Sequence, residues 1–277
     1  MPNAYCTLAE VKNELGETST DATRDAILLT MIEQASRHVD SACGRSFFVS
    51  LATRYFDVID PCKLIIDDCL SISAFTADSE GDGTFDGTTF TQGDTEDYIL
   101  WPYNEWPKMY VVPAANPTYW LSCGKRYAKI VGQWGYGTGL TATPYSSTGL
   151  TGTLSDADDT TITASADAST AVYVGQTLLI ESEQVYVTAV ATTTITVERG
   201  VNGTTAAAHA AATMYRYKYP AEITRETIDL AKSLYLARQR GAMQMEMIGQ
   251  YQYQYSSPQV IEDQLRERLG RFVRIVA

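Results

Sequence analysis

The sequence predicts an α+β protein: a helical host domain with a small antiparallel sheet, interrupted by an inserted all-β sandwich or barrel. Two stretches carry that reading. The first is PAEITRETIDLAKSLYLARQR, Pro220 to Arg240, where Pro220 suits a first helical turn and Gly241 suits the left-handed position beyond the last one. Ile223, Thr227, Leu230, Ala231, Leu234, Ala237 and Arg238 recur at three- and four-residue steps on it, so it is amphipathic and needs a surface to lie on. The second is the strand RYAKIVGQWGYG, which would ordinarily reach such a helix through a short turn. About 80 residues intervene instead, too many for a loop that does not itself fold. The division is therefore residues 1–140 with 218–257 as host, 141–217 as insert, and 258–277 as a C-terminal helix and arm.

From the N-terminus, Thr7-Leu8-Ala9-Glu10 forms a capping box for a short helix to Leu15, with Gly16 to stop it. Asp21 caps a longer helix whose apolar stripe is Ile27, Leu28, Met31, Ile32, Ala35, Val39 and Ala42, and Gly44 ends it. From Arg45 the period becomes two. FFVSLATRYFDVI, KLIIDD, SISAFTAD and TEDYILW, each bounded by Gly, Asp or Pro, predict a small, mainly antiparallel sheet. WPYNEWPKMYVVPAANPTYW, broken by Pro102, Pro107, Pro113 and Pro117, reads as an ordered loop packed by its own aromatics, or as a ligand-stacking groove.

In the insert, TTITAS, TLLIES, EQVYVTAVA and TTITVER alternate as strands do, with tight turns at Gly175 and Gly203 and a last strand after AAAHAAA. Beyond the main helix, MQMEMIGQYQYQYSS alternates Met and then Tyr with polar residues and has no obvious buried face. It is either mobile or an edge strand completed by a partner. Pro258 opens a final helix to about Leu269, and the chain closes on the apolar GRFVRIVA.

Composition narrows the function. The chain carries a net charge of -12, concentrated in its first two sections, so neither offers the basic stripe that gripping phosphates requires. The N-terminus has no basic flank or apolar run, no stretch approaches transmembrane length, and no membrane role is expected. Cys6, Cys43, Cys62, Cys69 and Cys123 are odd in number and scattered, which favours free thiols over a zinc site or a disulfide framework. His38 has no ligand set at useful spacing. Asp78, Glu80, Asp82 and Gly83 imitate the start of a calcium loop, but Thr89 stands where the bidentate Glu belongs, so the stretch reads as a turn. No hydrolase elbow, zincin motif or Walker loop is present. No cofactor and no catalytic role are expected.

The order of YCTLAEVKNEL, the helix ending in ASRHVDSACGRSF, the strands, DYILWPYN, IVGQWGYG and the P-x-x-I helix resembles the head-to-tail connector (adaptor) proteins of tailed bacteriophages. The inserted GQTLLIESEQVYVTAV and TITVERGVNGTTAAAHA are similar to a β module that recurs in phage structural proteins; the insert itself departs from many connectors. The resemblance implies a non-catalytic ring, commonly of twelve copies, in the neck of the virion and assembled in the host cytoplasm. Its partners would be the portal protein on one side and the next neck or tail protein, a stopper or tail terminator, on the other. Double-stranded DNA would pass through the lumen without sequence-specific binding, which an acidic wall favours because it does not hold phosphate.

Within that reading, Ile228 and Tyr235 form a second apolar line on the main helix, expected to be left partly exposed and to serve as the subunit contact. Arg271, Phe272, Val273, Arg274, Ile275 and Val276 are expected to form a portal-binding arm; the alternative is that this tail packs back on its own domain. Two other classes compete. A metal-dependent enzyme would use the carboxylates of Asp78 to Asp86 or Asp94 to Asp97. A virion-surface module would recognise a glycan or host through the β insert.

Overall fold

A computed structural model describes residues 3–115, 117, 120–240, 245–248, 251–254 and 264–274. The protein is mixed α+β with two substantial sheets, and its contacts divide it into two compact units: residues 1–45, 145–201 and 205–277, and residues 46–144 with 202–204.

The first unit begins with α1 (Leu8–Leu15), and the capping box forms as its residues require. The Thr7 hydroxyl accepts from the Glu10 N–H at 3.2 Å, while the Glu10 carboxylate accepts the Thr7 N–H at 2.7 Å. Gly16 closes the helix in the left-handed region at φ 69°. The Asp21 carboxylate caps α2 (Ala22–Cys43) by accepting from the N–H groups of Thr23 and Arg24. Leu28, Ile32, Ala35, Val39 and Ala42 of its stripe are buried. These helices pack with α3 (Ala221–Arg240), which returns from the far end of the sequence.

The second unit is an antiparallel sheet of five strands, β1 (Ser50–Val58), β2 (Leu64–Ala77), β3 (Tyr98–Trp101), β4 (Lys108–Pro113) and β5 (Gly124–Trp134), in the order β1-β5-β2-β4-β3. KLIIDD and SISAFTAD, read as separate strands, join into β2, whose pairing with β4 and β5 shifts register three times along its length. The proline-punctuated stretch read as a loop contains β4, bounded by Pro107 and Pro113. Prolines at strand ends cost no ladder bond. Phe75, Ile130, Trp134, Leu64 and Ile66 form the core of this unit, all at most 1 % exposed. At φ 145°, Gly135 lies so near the Phe48 carbonyl that any Cβ would collide with it.

The inserted block closes a six-stranded barrel, as the sequence leads one to expect. Its strands are β6 (Tyr145–Leu154), β7 (Thr161–Ala164), β8 (Thr177–Ile180), β9 (Glu183–Ala191), β10 (Thr194–Glu198) and β11 (His209–Tyr217), in the cyclic order β10-β7-β6-β11-β8-β9. Leu154, Ile162, Leu178, Ile180, Val185, Val187, Ile195 and Met214 fill it. Closure leaves no free edge. The strand missing from the sequence reading is β6, YSSTGLTGTL, whose glycine and serine content hides its alternation.

The domain division differs from the expected one. The helices share a compact unit with the barrel instead of with the five-stranded sheet. The Leu8 N–H donates to the Val174 carbonyl at 3.1 Å, and Gly175 lies against the Cys6 carbonyl, so the first turn of α1 is seated on a barrel loop.

Beyond α3, β12 (Met245–Ile248) and β13 (Tyr251–Gln254) pair as a two-stranded sheet. Residues 264–268 are helical, followed by a 3-10 turn at Gly270–Phe272.

Candidate functional sites

The face of α3 is rotated from the expected stripe. Ile223, Thr227, Leu230 and Ala231 are buried as predicted, but Leu234 is only half-buried and Ala237 and Arg238 are exposed. Ile228 and Tyr235 are buried instead, at 7 % and 6 % exposure. The subunit-contact assignment rested on their being left partly exposed, and that ground is removed: both belong to the chain's own core. A helix packed from more than one side buries a wider arc than a single three-four stripe shows.

The described part of the expected arm is packed on the chain in the same way. Leu265, Leu269 and Phe272 are buried, at 3 %, 1 % and 4 % exposure, and the Arg274 N–H donates to the Cys43 carbonyl at the end of α2 at 2.8 Å. Arg271 pairs with Glu222 and Arg268 with Glu226, one turn apart on α3. Val273 is half-buried; Ile275 and Val276 lie outside the described residues. The described tail packs back on its own unit, with Phe272 buried in it.

Neither acidic cluster gathers its carboxylates on a common point. Asp78 accepts from the N–H groups of Gly81, Asp82 and Gly83 and Asp82 from that of Thr84, the pattern of a turn held by its own side chains. Asp97 accepts the Thr91 N–H at 2.8 Å, whereas Asp94 accepts from the Tyr103 hydroxyl at 3.0 Å. Among the described residues no group of three or more His, Cys, Asp or Glu side chains is placed to hold a metal ion. In the aromatic segment, Lys108 is buried with its Nζ donating to the Pro102 and Tyr103 carbonyls at 2.6 and 2.7 Å and standing 4.1 Å from the Trp106 ring centroid. That ties the segment to itself.

The most concentrated polar site is one that sequence reasoning missed. Glu183, fully buried at the start of β9, accepts from Arg199 Nε at 2.7 Å and Nη2 at 2.8 Å, and from the N–H groups of Gly200 and Ala207 at 3.0 and 3.1 Å. His209 Nε2 lies 2.8 Å from the same carboxylate and its Nδ1 2.8 Å from Glu181. Arg199 also donates to the carbonyls of Asp156, Asp159 and Ala207. Burial alone raises the Glu183 carboxyl, but the hydrogen bonds from Arg199, His209, Ala207 and Gly200 outweigh it and hold the group at about 2. The signal was visible: E-R-G-V-N-G-T-T-A-A-A-H sets an Arg and a lone His around a glycine turn, and such residues in a barrel need a buried carboxylate. Chemically the cluster is a saturated clamp. Arg199 and Glu183 are occupied by the fold, which leaves little for a substrate.

A cavity of about 100 Å³ lies in the same unit, lined among others by Tyr5, Cys6, Glu10, Thr177, Tyr217 and Tyr219. Burial and then the Glu10 carboxylate push the Cys6 thiol far above its usual range, so it is neutral there and no nucleophile. No helix among the described residues is long and apolar enough to cross a membrane. Comparison with models of known protein families, with curated proteins and with solved structures returns no match.

Proposed function

We propose that the chain is the repeating subunit of a head-to-tail connector ring, a non-catalytic structural protein of a tailed-phage neck. It would sit between the portal and the next neck or tail protein, with double-stranded DNA passing through its centre. The observation that supports this most is convergence. The segments carrying the resemblance at the two ends of the sequence, YCTLAEVKNEL in α1, ASRHVDSAC in α2 and P-x-x-I opening α3, pack together although the sheet and the whole barrel separate them in the chain. An insertion leaves such a helical trio intact only if the block entering between β5 and α3 closes on itself, as the six-stranded barrel does. Acidity agrees with the role, since a wall of net negative charge lets DNA slide where a basic one would bind it.

The test is assembly on a portal. Purified chain mixed with its cognate portal ring should add one symmetric layer of copies, seen by electron microscopy and by a stepwise increase in particle mass. A chain that stays in the unbound fraction at all ratios would overturn the reading.

A further inference from the structure

The cavity of about 100 Å³ in the first unit gathers segments far apart in the sequence: Tyr5 and Cys6 ahead of α1, Thr177 opening β8, Tyr217 closing β11 and Tyr219 just before α3. Two of its groups are not used by the fold. Thr177 is 2 % exposed, and its Oγ1 and the Tyr219 hydroxyl are both shut off from solvent with no hydrogen-bond partner. They are near enough to affect each other, but a bond between them would take up only one of the two protons and leave the other without an acceptor. Burial raises the Tyr219 phenol above its ordinary range, so it keeps its proton at neutral pH. A buried hydroxyl in that state costs stability until something that enters the cavity satisfies it.

We propose that this cavity is a binding site for a small neutral polyol: a vicinal diol, carried by glycerol or by the end of a sugar alcohol. Each feature of the ligand answers a group on the wall. The unspent hydroxyl proton needs an acceptor, which an ammonium group lacks. Glu10 accepts from the Thr7 N–H and hydroxyl through one carboxylate oxygen, at 2.7 and 2.8 Å, so its other oxygen calls for a donor while its charge repels an anion. Gln176 spends its Oε1 on the Tyr173 N–H at 3.0 Å, which leaves its NH2 to donate. Hydroxyl groups both donate and accept, and so meet all three demands without bringing a charge. The rings of Tyr5 and Tyr219, with centroids 4.7 Å apart, supply apolar surface for the C–H groups of a polyol. The volume takes a molecule of about four to six heavy atoms, and the exposed Glu10 on the lining leaves a longer chain a way out to solvent. Polyol binding needs neither a portal nor a ring, so it and the connector reading can each fail alone.

Saturation-transfer NMR and calorimetric titration of the full chain should show saturable binding of glycerol. Sorbitol binding alongside it would assign the site to the chain end the two share; glycerol binding alone would assign it to the free three-carbon molecule. Propanol, which lacks the neighbouring hydroxyl, and glycerol phosphate, which carries charge, should bind at least about tenfold more weakly. Thr177→Val and Tyr219→Phe keep the shape of the wall and remove one hydroxyl each, and each should weaken glycerol about tenfold. Without ligand, both variants should melt at or above the wild-type temperature, because the hydroxyl removed had no partner to lose. Glycerol that does not bind saturably, variants that bind it like wild type, or propanol, acetamide or glycerol phosphate bound as tightly as glycerol would each overturn the proposal. Variants that melt lower in buffer alone would overturn it too, since the hydroxyls would then be satisfied by each other or by water.

Discussion

At the scale of single residues, the barrel depends most on Glu183. Its carboxylate joins the start of β9 to the glycine turn after β10 and to the first residue of β11, so one side chain ties three parts of the barrel together. Glu183→Gln keeps the volume but leaves the buried Arg199 without its countercharge, a change that costs about 3 to 5 kcal/mol when a buried pair is broken. The sign of the pH dependence follows from the depressed carboxyl. Folded, it titrates near 2 against an ordinary 4.5, so its stabilisation is complete above the unfolded value and is lost as pH falls from there toward 2. Urea midpoints of wild type and Glu183→Gln should differ widely at pH 7 and converge as pH drops below about 4. Equal midpoints at pH 7 would show that the clamp contributes nothing.

The elements show where local rules suffice and where packing decides. Both N-terminal helices start and stop where their caps place them, at Thr7, Gly16, Asp21 and Gly44, because a cap is a local hydrogen-bonding device. Strand β6 and the rotated face of α3 were not legible in the same way. A strand of Ser, Thr and Gly alternates only once a partner decides which face is inside, and a helix packed on several neighbours buries more than its strongest stripe. The tail behaves likewise. Phe272 is apolar whether it serves a partner or its own core, and its burial in this unit makes it a structural residue. Phe272→Ala should lower unfolding stability by about 3 kcal/mol, within the range for emptying a buried aromatic site. Truncation after Leu269 removes the Arg274 to Cys43 bond as well and should destabilise further. A truncated chain that melts with wild type would restore the arm as a free element.

For the whole molecule, charge and connectivity make the testable statements. A chain at net -12 should leave linear double-stranded DNA unshifted in a gel at physiological salt and also at lower salt, where phosphate contacts would strengthen. A shift that grows as salt falls would expose a basic surface and count against a lumen that lets the genome slide. Connectivity makes the barrel an insertion in sequence, yet its loop at Val174 and Gly175 receives the first turn of α1. Replacing residues 145–217 by a short Gly/Ser linker should therefore leave the three helices able to form but lower their melting temperature. Unchanged melting would mean that the barrel is a passenger.

The sequence by itself determined the helix caps, the period-two sheet, the position and all-β character of the insert, and the acidity that argues against gripping nucleic acid. Each of these is written within a few residues or in a sum over residues, and so survives without knowing what touches what. Only the tertiary structure decided that Ile228 and Tyr235 belong to the core, that Phe272 turns back onto its own unit, and that Glu183 draws Arg199 and His209 together. The physical reason is common to all three. An apolar or charged side chain states that it needs a partner, but which partner it finds is set by long-range packing, where burial and pairing are decided between segments far apart in the chain.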